Sequence, residues 1–252
     1  MNKLTKRIIS ILVFISLICI WQIMSVTVNN SLFIPTPMQT IEMLITLLKG
    51  SLFSHIWASF KRITIAVFIA GGISIPLGLI IAKVKAVNYL VSPIINFLRY
   101  IPITAFSPLL MLFVGIGEDM KIILIFIAVF LQYLPIVVNE FEDVDKRITE
   151  TATTMGFSDF RSIWHVIIPY ATPELIRNFI SLYGIGWTYV IIAEVTNANY
   201  GLGHLMYIGS ARGNTEMVFA ALITIIFINI TFDKFGKFIV KKKFAWRYKE
   251  DE

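Results

Sequence analysis

The sequence predicts an all-α protein that crosses a membrane about six times. Of its 252 residues 57% are hydrophobic and 15% charged, and the mean hydropathy is +0.77, outside the range of soluble domains. Uncharged apolar runs of about 20 residues, the length that a helix needs to cross the hydrocarbon core, recur along the whole chain. Runs such as IILIFIAVFLQYLPIVV are apolar on every face, whereas the strands of a transmembrane barrel alternate over about ten residues.

The apolar runs define the order of the predicted spans. They cover residues 8–28, 63–82, 97–115, 121–139, 178–195 and 216–233. Two prolines, Pro102 and Pro108, interrupt the third. The first follows a basic flank, as in a signal peptide, but it is long enough to span and no small-x-small cleavage site follows. We therefore expect a retained N-terminal anchor.

The basic residues predict the orientation of these spans. Most of the 22 Lys and Arg residues fall on one side if the N-terminus is inside. The exceptions are Lys49, Lys61, Arg62, Lys121 and Arg212. Both termini are then cytoplasmic, and residues 140–177 form the largest cytoplasmic loop. The basic tail KKKFAWRYK is a topology signal beside anionic lipid rather than a nucleic-acid site.

Two patterns predict how individual helices pack. In the second span small side chains recur at every fourth residue, at Ala66, Ala70, Ser74, Gly78 and Ala82. Such a strip lets another backbone approach closely, either within the chain or in a second copy of it. Outside, NNSLFIPTPMQTIEMLITLLKG predicts a turn followed by a short amphipathic helix with Ile41, Leu44, Ile45 and Leu48 on one face. We expect this helix to lie on the membrane surface.

Several kinds of chemistry find no support in the sequence. It contains no phosphate-binding G-x-x-x-x-G-K-[ST] loop, no H-E-x-x-H pair and one cysteine, Cys19. A membrane-bound enzyme is therefore disfavoured, and no motif in the sequence indicates an assembly scaffold. Ionisable residues inside the spans are few, with Glu194 the clearest, so an ion-coupled secondary transporter or channel remains only an alternative.

The segment ITETATTMGFSDFRSIWHVIIP, residues 148–169, interrupts the apolar pattern. It predicts a helix over 149–155, a turn at Gly156, and a second helix from Asp159 to about 167 that stops before a proline. The first helix carries Ile148, Ala152 and Met155 on one side, which predicts an apolar knob facing the cytoplasm. A simple connecting loop would not need two helices.

These residues resemble the cytoplasmic signature of the permease subunits of binding-protein-dependent ABC importers. The signature is E-A-A, three residues, G, nine residues, then I-x-L-P. It reads here Glu150, Thr151, Ala152, Gly156 and, at its end, Pro169. Threonine replaces the middle alanine, and the I and L positions hold valine and isoleucine.

The resemblance extends over about residues 32–240. FIPTP, RYIPITAFSPLLMLFVGIGEDMKI, AEVTNANYGLGHLM and MVFAALITIIFINITFDK are similar to blocks of the nitrate, sulfonate and taurine subgroup. Other members of that subgroup carry different solutes, so the resemblance does not name the substrate.

The resemblance implies a type I ABC importer permease fold in a bacterial or archaeal inner membrane. Residues 149–160 would be the coupling helix that seats in an ATPase subunit. Two ATPases, a second permease chain, by default an identical one, and an extracytoplasmic solute-binding protein would complete the importer. This chain would hold no cofactor, since ATP and Mg²⁺ belong to the ATPases. The chain divides into 1–62 (anchor and external helix), 63–240 (permease core) and 241–252 (basic tail).

The translocation pathway is expected to use polar and aromatic residues of the middle spans. The candidates are Phe106, Ser107, Gln132, Tyr133, Trp187 and Glu194. Packing within the chain is the competing explanation for each of them. The expected function is therefore import of a small anionic or zwitterionic solute, such as nitrate, a sulfonate or taurine, driven by ATP hydrolysed elsewhere in the complex.

Overall fold

A computed structural model describes residues 3–28, 33–98, 100–196 and 198–248, and within these ranges every regular element is helical. The helices are α1 (Lys3–Val28), α2 (Pro37–Lys49), α3 (Leu52–Lys83), α4 (Lys85–Leu98), α5 (Ser107–Val114), α6 (Glu118–Glu142), α7 (Lys146–Thr154), α8 (Asp159–Ser162), α9 (Ile168–Val195), α10 (Leu202–Ala211), α11 (Thr215–Lys243) and α12 (Ala245–Tyr248). A 3₁₀ turn, Ile103–Phe106, precedes α5, and a π-helical turn, Ile163–Ile167, joins α8 to α9.

Five of these helical stretches are long and apolar enough to cross a membrane, within the described ranges. The third predicted span, 97–115, is wrong as a continuous helix, because α4 and the stretch Ile103–Val114 are bent by 84° and only together reach the length of a span. The cause lies at Pro102, which is extended at ψ 105°. A proline has no N–H for the helix and disfavours helical backbone in the residue before it.

Ion pairs and hydrogen bonds show that α3 and α6 run parallel. Arg62 of α3 contacts Glu118 at the start of α6, with Nε 2.6 Å from Oε2. At the other end the Lys83 ammonium donates to the carbonyl of Phe141, 2.9 Å away. The segment between two parallel helices must return across the bundle, so α4 and α5 together supply the sixth crossing. We call the end with Arg62 the α10 end, and the end with Lys83 the α7 end.

The helices extend beyond the predicted apolar runs. α3 has 32 residues and begins at Leu52, so the predicted division at residue 62 falls inside it. Hydropathy detects the apolar part of a helix, whereas the helix itself continues where charged side chains find partners. The fourth and fifth predicted spans likewise lie within the longer α6 and the continuous stretch Asp159–Val195.

The core lies where α3, α6 and α9 pack together. Tyr133, Phe141 and Trp187 are among its largest fully buried side chains. The small-residue strip of α3 faces into this core, with every member buried except the half-buried Ala82. A Cβ on Gly78 would stand 2.5 Å from Cγ1 of Val137, so α3 and α6 approach as closely as this glycine allows.

The N-terminal part packs on the outside of this core. A capping box begins α2, since Thr36 Oγ1 accepts from the Gln39 backbone at 3.2 Å and the Gln39 side chain accepts from the Thr36 N–H. The helix packs against α11, and Thr40 and Leu47 are buried. Of its predicted apolar face, Ile41, Ile45 and Leu48 are exposed, whereas Leu44 packs on the core. The indole of Trp21 in α1 donates to the Pro35 carbonyl, 2.9 Å away.

Candidate functional site

The signature glycine forms the turn that ends α7. Gly156 has a φ of +84°, a conformation that glycine adopts without the strain caused by a Cβ. The N–H of Phe157 donates to the Ala152 carbonyl at 3.0 Å, and that of Gly156 to the Thr153 carbonyl at 2.9 Å. This pair of bonds is a Schellman motif, which satisfies the last carbonyls of the helix and reverses the chain. The predicted turn at Gly156 is confirmed.

The second helix begins as predicted but does not stop before Pro169. The Ser158 hydroxyl caps α8 by accepting from the Arg161 N–H at 3.4 Å. The chain then remains helical through the π-helical turn into α9, so the predicted stop is wrong. In a π turn the Ile168 N–H reaches back to the Ile163 carbonyl, which widens the helix just before the proline ring enters it. Pro169 then occupies the first turn of α9, where its missing N–H costs least.

The apolar knob predicted on α7 is only partly present. Met155 is exposed, but Ala152 is 5% exposed and faces the protein interior, and Ile148 is half-buried. The interpretation was wrong because the turn at Gly156 folds α8 and the π turn against that side of α7. The exposed apolar side chains of the segment are instead Met155, Phe160 and Trp164, at 73%, 72% and 56%. Glu150 and Thr151 are exposed on the other side of α7.

The predicted pathway residues do not line a single cavity in the isolated chain. Gln132 lines a cavity of about 290 Å³ with Leu98, Ile103 and Tyr189. Tyr133 lines a different, mostly apolar crevice of about 320 Å³, and its hydroxyl donates to the Leu175 carbonyl at 3.0 Å. Because Gln132 and Tyr133 line different cavities, the assignment of these residues to a translocation pathway stays a prediction.

The remaining four candidates are mainly enclosed, and Glu194 is described with its cluster below. Trp187 is 1% exposed and packs in the core, while Phe106 is half-buried. Ser107 is 4% exposed, and its hydroxyl has no hydrogen-bond partner within the described residues.

A polar groove that the sequence reasoning missed lies between α4 and α6 at the α7 end. It has a volume of about 170 Å³, and polar side chains supply most of its lining: Asn88, Ser92, Asn96, Asn139 and Glu142. The amide of Asn88 donates to the carboxylate of Glu142, and Ser92 donates to Asn88 at 3.1 Å. The four-residue spacing of 88, 92 and 96 in the sequence was the available signal, because it places three polar side chains on one helix face.

Glu194 is the centre of a charged cluster at the α10 end. Its carboxylate is 0% exposed. Arg62 donates to it from Nη1 at 2.6 Å, the Ser59 hydroxyl lies 2.8 Å from Oε1, and the Gly203 N–H donates to Oε2 at 2.8 Å. Arg62 also forms a two-pronged pair with Glu118, which in turn accepts from Lys121 at 3.1 Å. The elements α3, α6, α9 and α10 therefore meet at one network of charges.

Two histidines that are far apart in the sequence join this region. His55 and His204 stack with ring centroids 6.1 Å apart, and His55 Nδ1 lies 3.0 Å from the Gly201 carbonyl. Loss of hydration on burial, together with the nearby charge of Arg62, lowers the pKa of His204. No group of three or more potential metal ligands occurs in the described ranges.

A broad cavity opens beside this cluster. Its volume is about 780 Å³, and its walls carry Trp57, Lys61, Arg62, Glu118 and Tyr200, among other residues of α3 and α6. Arg62 is only 6% exposed and is held by two carboxylates, so Lys61 is the more accessible cation on this wall.

Comparisons with known proteins agree with this architecture. The chain is 30% identical over 236 residues to a putative ABC transporter permease of Methanocaldococcus jannaschii, covering 91% of this chain and 88% of the relative. It is 30% identical to the taurine transport system permease protein of Escherichia coli, covering 82% and 78% of the two chains. To a nitrate import permease of Synechocystis it is 23% identical, covering 88% and 84%.

A solved structure shows the same fold. The inward-facing MetNI methionine ABC transporter matches 76% of this chain and 95% of its own matched chain, with a TM-score of 0.66 and 20% identity. A sequence profile for the inner membrane component of binding-protein-dependent transport systems matches residues 74–244. The chain therefore belongs to the family of binding-protein-dependent transport system inner membrane components, the permease subunits of ABC importers.

Proposed function

We propose that this permease imports a small anionic or zwitterionic solute of the kind carried by its named relatives, taurine, aliphatic sulfonates or nitrate. It sits in the membrane with both termini in the cytoplasm, so that the α7 end is cytoplasmic and the α10 end external. The enrichment of Lys and Arg in the segments at the α7 end supports this orientation. The chain itself hydrolyses nothing and holds no cofactor; ATP and Mg²⁺ bind to separate ATPase subunits.

The main support for an ATP-driven importer is the segment of residues 148–169, which we call the coupling segment. The Schellman turn at Gly156 reverses the chain, and Met155, Phe160 and Trp164 are left exposed at the edge of the protein that faces the cytoplasm in this orientation. A large exposed apolar cluster, on a segment whose first helix also exposes the acidic Glu150, is typical of a surface that another protein covers. That protein is the ATPase, whose closure on ATP would push this segment and switch the paired permeases between inward-facing and outward-facing states.

A second copy of the chain completes the pathway. The face of α4 and α5 that is turned away from α6 carries large, strongly exposed apolar side chains: Tyr89, Leu90, Phe97, Leu112 and Phe113. In the dimer these faces meet, and the polar groove at Asn88, Ser92 and Asn96 lies close to that interface. On this arrangement the groove joins Gln132 as part of the route by which a polar solute leaves towards the cytoplasm.

The experiment that tests the function is purification of the tagged chain from its native membrane in mild detergent, with mass spectrometry of the bound proteins. We expect an ATPase with a phosphate-binding loop and a solute-binding protein. Reconstituted vesicles loaded with ATP should then accumulate taurine, nitrate or an alkanesulfonate.

Glu150→Lys is the matching variant, since it reverses the exposed charge of α7 without touching the core. It should insert normally and lose the ATPase. If the chain purifies alone and moves solute without ATP, the proposal fails and ion-coupled transport takes its place.

A further inference from the structure

The buried carboxylate of Glu194 at the α10 end is fully engaged by donors of its own chain. Glu194 is 0% exposed and accepts from Arg62, Ser59 and the backbone of Gly203, so its oxygens are occupied by donors from its own chain. A carboxylate in such a setting is stabilised by these charge-assisted hydrogen bonds and would be costly to leave unpaired. A solute that displaced any of these donors would have to compensate for that loss.

The backbone around the carboxylate is built to receive it. A Cβ on Gly201 would stand 2.2 Å from Glu194 Oε2, and one on Gly203 would stand 2.9 Å from Glu194 Cβ and 2.7 Å from the Ile191 carbonyl. Gly201 also has a φ of +145°. The AEV stretch, residues 193–195, and the GLG stretch, residues 201–203, therefore pack directly on each other. The two glycines leave the room that the buried carboxylate of Glu194 occupies.

Arg62 joins this structure to its neighbours. Its Nε and Nη2 donate to Glu118 at 2.6 and 2.8 Å, and its Nη1 donates both to Glu194 and to the Tyr200 carbonyl, at 2.6 and 2.7 Å. All three guanidinium nitrogens are thus engaged within the chain. Ser59 adds a second tie, because its hydroxyl accepts from the Leu202 N–H at 2.9 Å while donating to Glu194.

We propose that Glu194 and Arg62 are positioning residues of the external face: they hold residues 198–203 on α3 and α6 and so set the surface on which the solute-binding protein acts. This inference rests on the proposed function. It assigns Glu194 a role different from the solute contact expected from the sequence. Tyr200, 55% exposed on the wall of the external cavity, is the side chain that the cluster places at that surface.

The test uses the purified complex in lipid nanodiscs, with ATP hydrolysis measured against the concentration of the binding protein. Glu194→Gln keeps the size of the side chain but removes its charge and places an NH₂ group where donors already point. We expect the half-saturating concentration of the binding protein to rise at least tenfold. The preference among taurine, nitrate and an alkanesulfonate should not change, because neither residue touches the solute.

Four further variants make the result decisive. Asp119→Asn, beside Glu118 but outside the network, should leave the half-saturating concentration as in the wild type. Ser59→Ala should shift it in the same direction and covers the case in which Glu194→Gln fails to fold. Arg62→Gln is measured alone and in combination with Glu194→Gln. The double variant should be no worse than the poorer of the two single variants, because residues that act as one unit are not additive.

The outcomes distinguish a failure of the positioning role of Glu194 from a failure of the proposed import function. A change of solute preference with an unchanged half-saturating concentration would overturn the positioning role and make Glu194 a pathway residue. Normal behaviour of Glu194→Gln in both respects would also overturn it. Failure of the wild-type complex to respond to any binding protein would instead count against the proposed function.

Discussion

Gly156 shows how a single residue sets the shape of the proposed coupling segment. No atom lies within 4 Å of the position that its Cβ would occupy, so a side chain there meets no neighbour. The cost of replacing it is conformational, because its φ of +84° is unfavourable for residues with a Cβ by about 1 to 2 kcal/mol. The turn can thus be weakened without disturbing any contact.

Substitutions at Gly156 should follow backbone preference rather than size. Gly156→Ala is expected to reduce ATP-driven uptake and the yield of co-purified ATPase several-fold, and Gly156→Pro to abolish both. Gly156→Asn should retain more than Gly156→Ala, although asparagine is larger, because it tolerates the left-handed conformation. Quantitative blotting of membranes checks that insertion is unchanged. Equal loss in the Asn and Ala variants would show that the conformation of this turn is not what matters.

At the scale of elements, the approach of α3 to α6 depends on glycine at one position. Gly78→Ala brings a Cβ to 2.5 Å from Val137 Cγ1, which forces the helices apart. Overpacking of this kind costs about 1 to 3 kcal/mol. We expect a lower melting temperature of the detergent-solubilised protein, measured by tryptophan fluorescence.

Gly72, which lies six residues before Gly78 in α3, and Val137, which faces Gly78, supply the controls for that prediction. Gly72→Ala should not lower the melting temperature, since nothing lies within 4 Å of the added Cβ. Val137→Ala added to Gly78→Ala should recover part of the loss, because it removes Cγ1, the atom nearest the added Cβ, while the Cβ of residue 137 stays 3.0 Å away. A melting temperature equally low in Gly72→Ala would contradict the steric explanation.

Arg247 links the C-terminal tail to the start of α9. Arg247 Nη1 donates to the Tyr170 hydroxyl at 2.7 Å, and the guanidinium carbon lies 4.5 Å from the centre of the tyrosine ring. A cation over an aromatic face contributes about 0.5 to 1 kcal/mol at exposed sites. Tyr170 directly follows Pro169, so the tail packs beside the end of the coupling signature.

Removing this contact should free the tail. Tyr170→Ala is expected to speed tryptic cleavage after Arg247, whereas Tyr170→Phe, which keeps the ring, should have a smaller effect. Cleavage after the exposed Arg147 serves as the internal reference. If both variants are cleaved like the wild type, the contact does not hold the tail in place.

At the scale of the whole molecule, the proposed exit route can be followed by cysteine labelling. The sequence has a single cysteine, so a Cys19→Ser chain is a suitable background. Cysteines at Ser92 and Gln132 should react with a water-soluble maleimide, and faster from the cytoplasmic side in the inward-facing state. Trapping the ATPases with ATP and vanadate should slow both reactions at least threefold.

A lipid-facing position gives the comparison for this labelling. Phe227 is 71% exposed on α11, and a cysteine there should react slowly in every state because lipid covers it. Labelling at Ser92 that is as slow as at Phe227 and unaffected by ATP would remove the polar groove from the route.

The sequence alone determined the class of this protein and the local structure of its proposed coupling segment. Lipid offers no partner to an open backbone, so a membrane is crossed by helices or by closed barrels, and runs of about 20 residues that are apolar on every face indicate helices. The turn at Gly156 and the start of the second helix at Asp159 were predictable, because the hydrogen bonds that form them join residues only a few positions apart. The membership of the permease family followed from the same local signature.

Only the tertiary structure decided what depends on contacts between distant residues. Since α3 and α6 lie parallel in the structure, α4 and α5 must together form one bent crossing between them. The structure also showed that the helix continues past Pro169. It also showed that Ala152 faces inward and that Glu194 meets Arg62. Local patterns record which faces of a helix are apolar or polar, but the partner of each face is chosen when the helices pack.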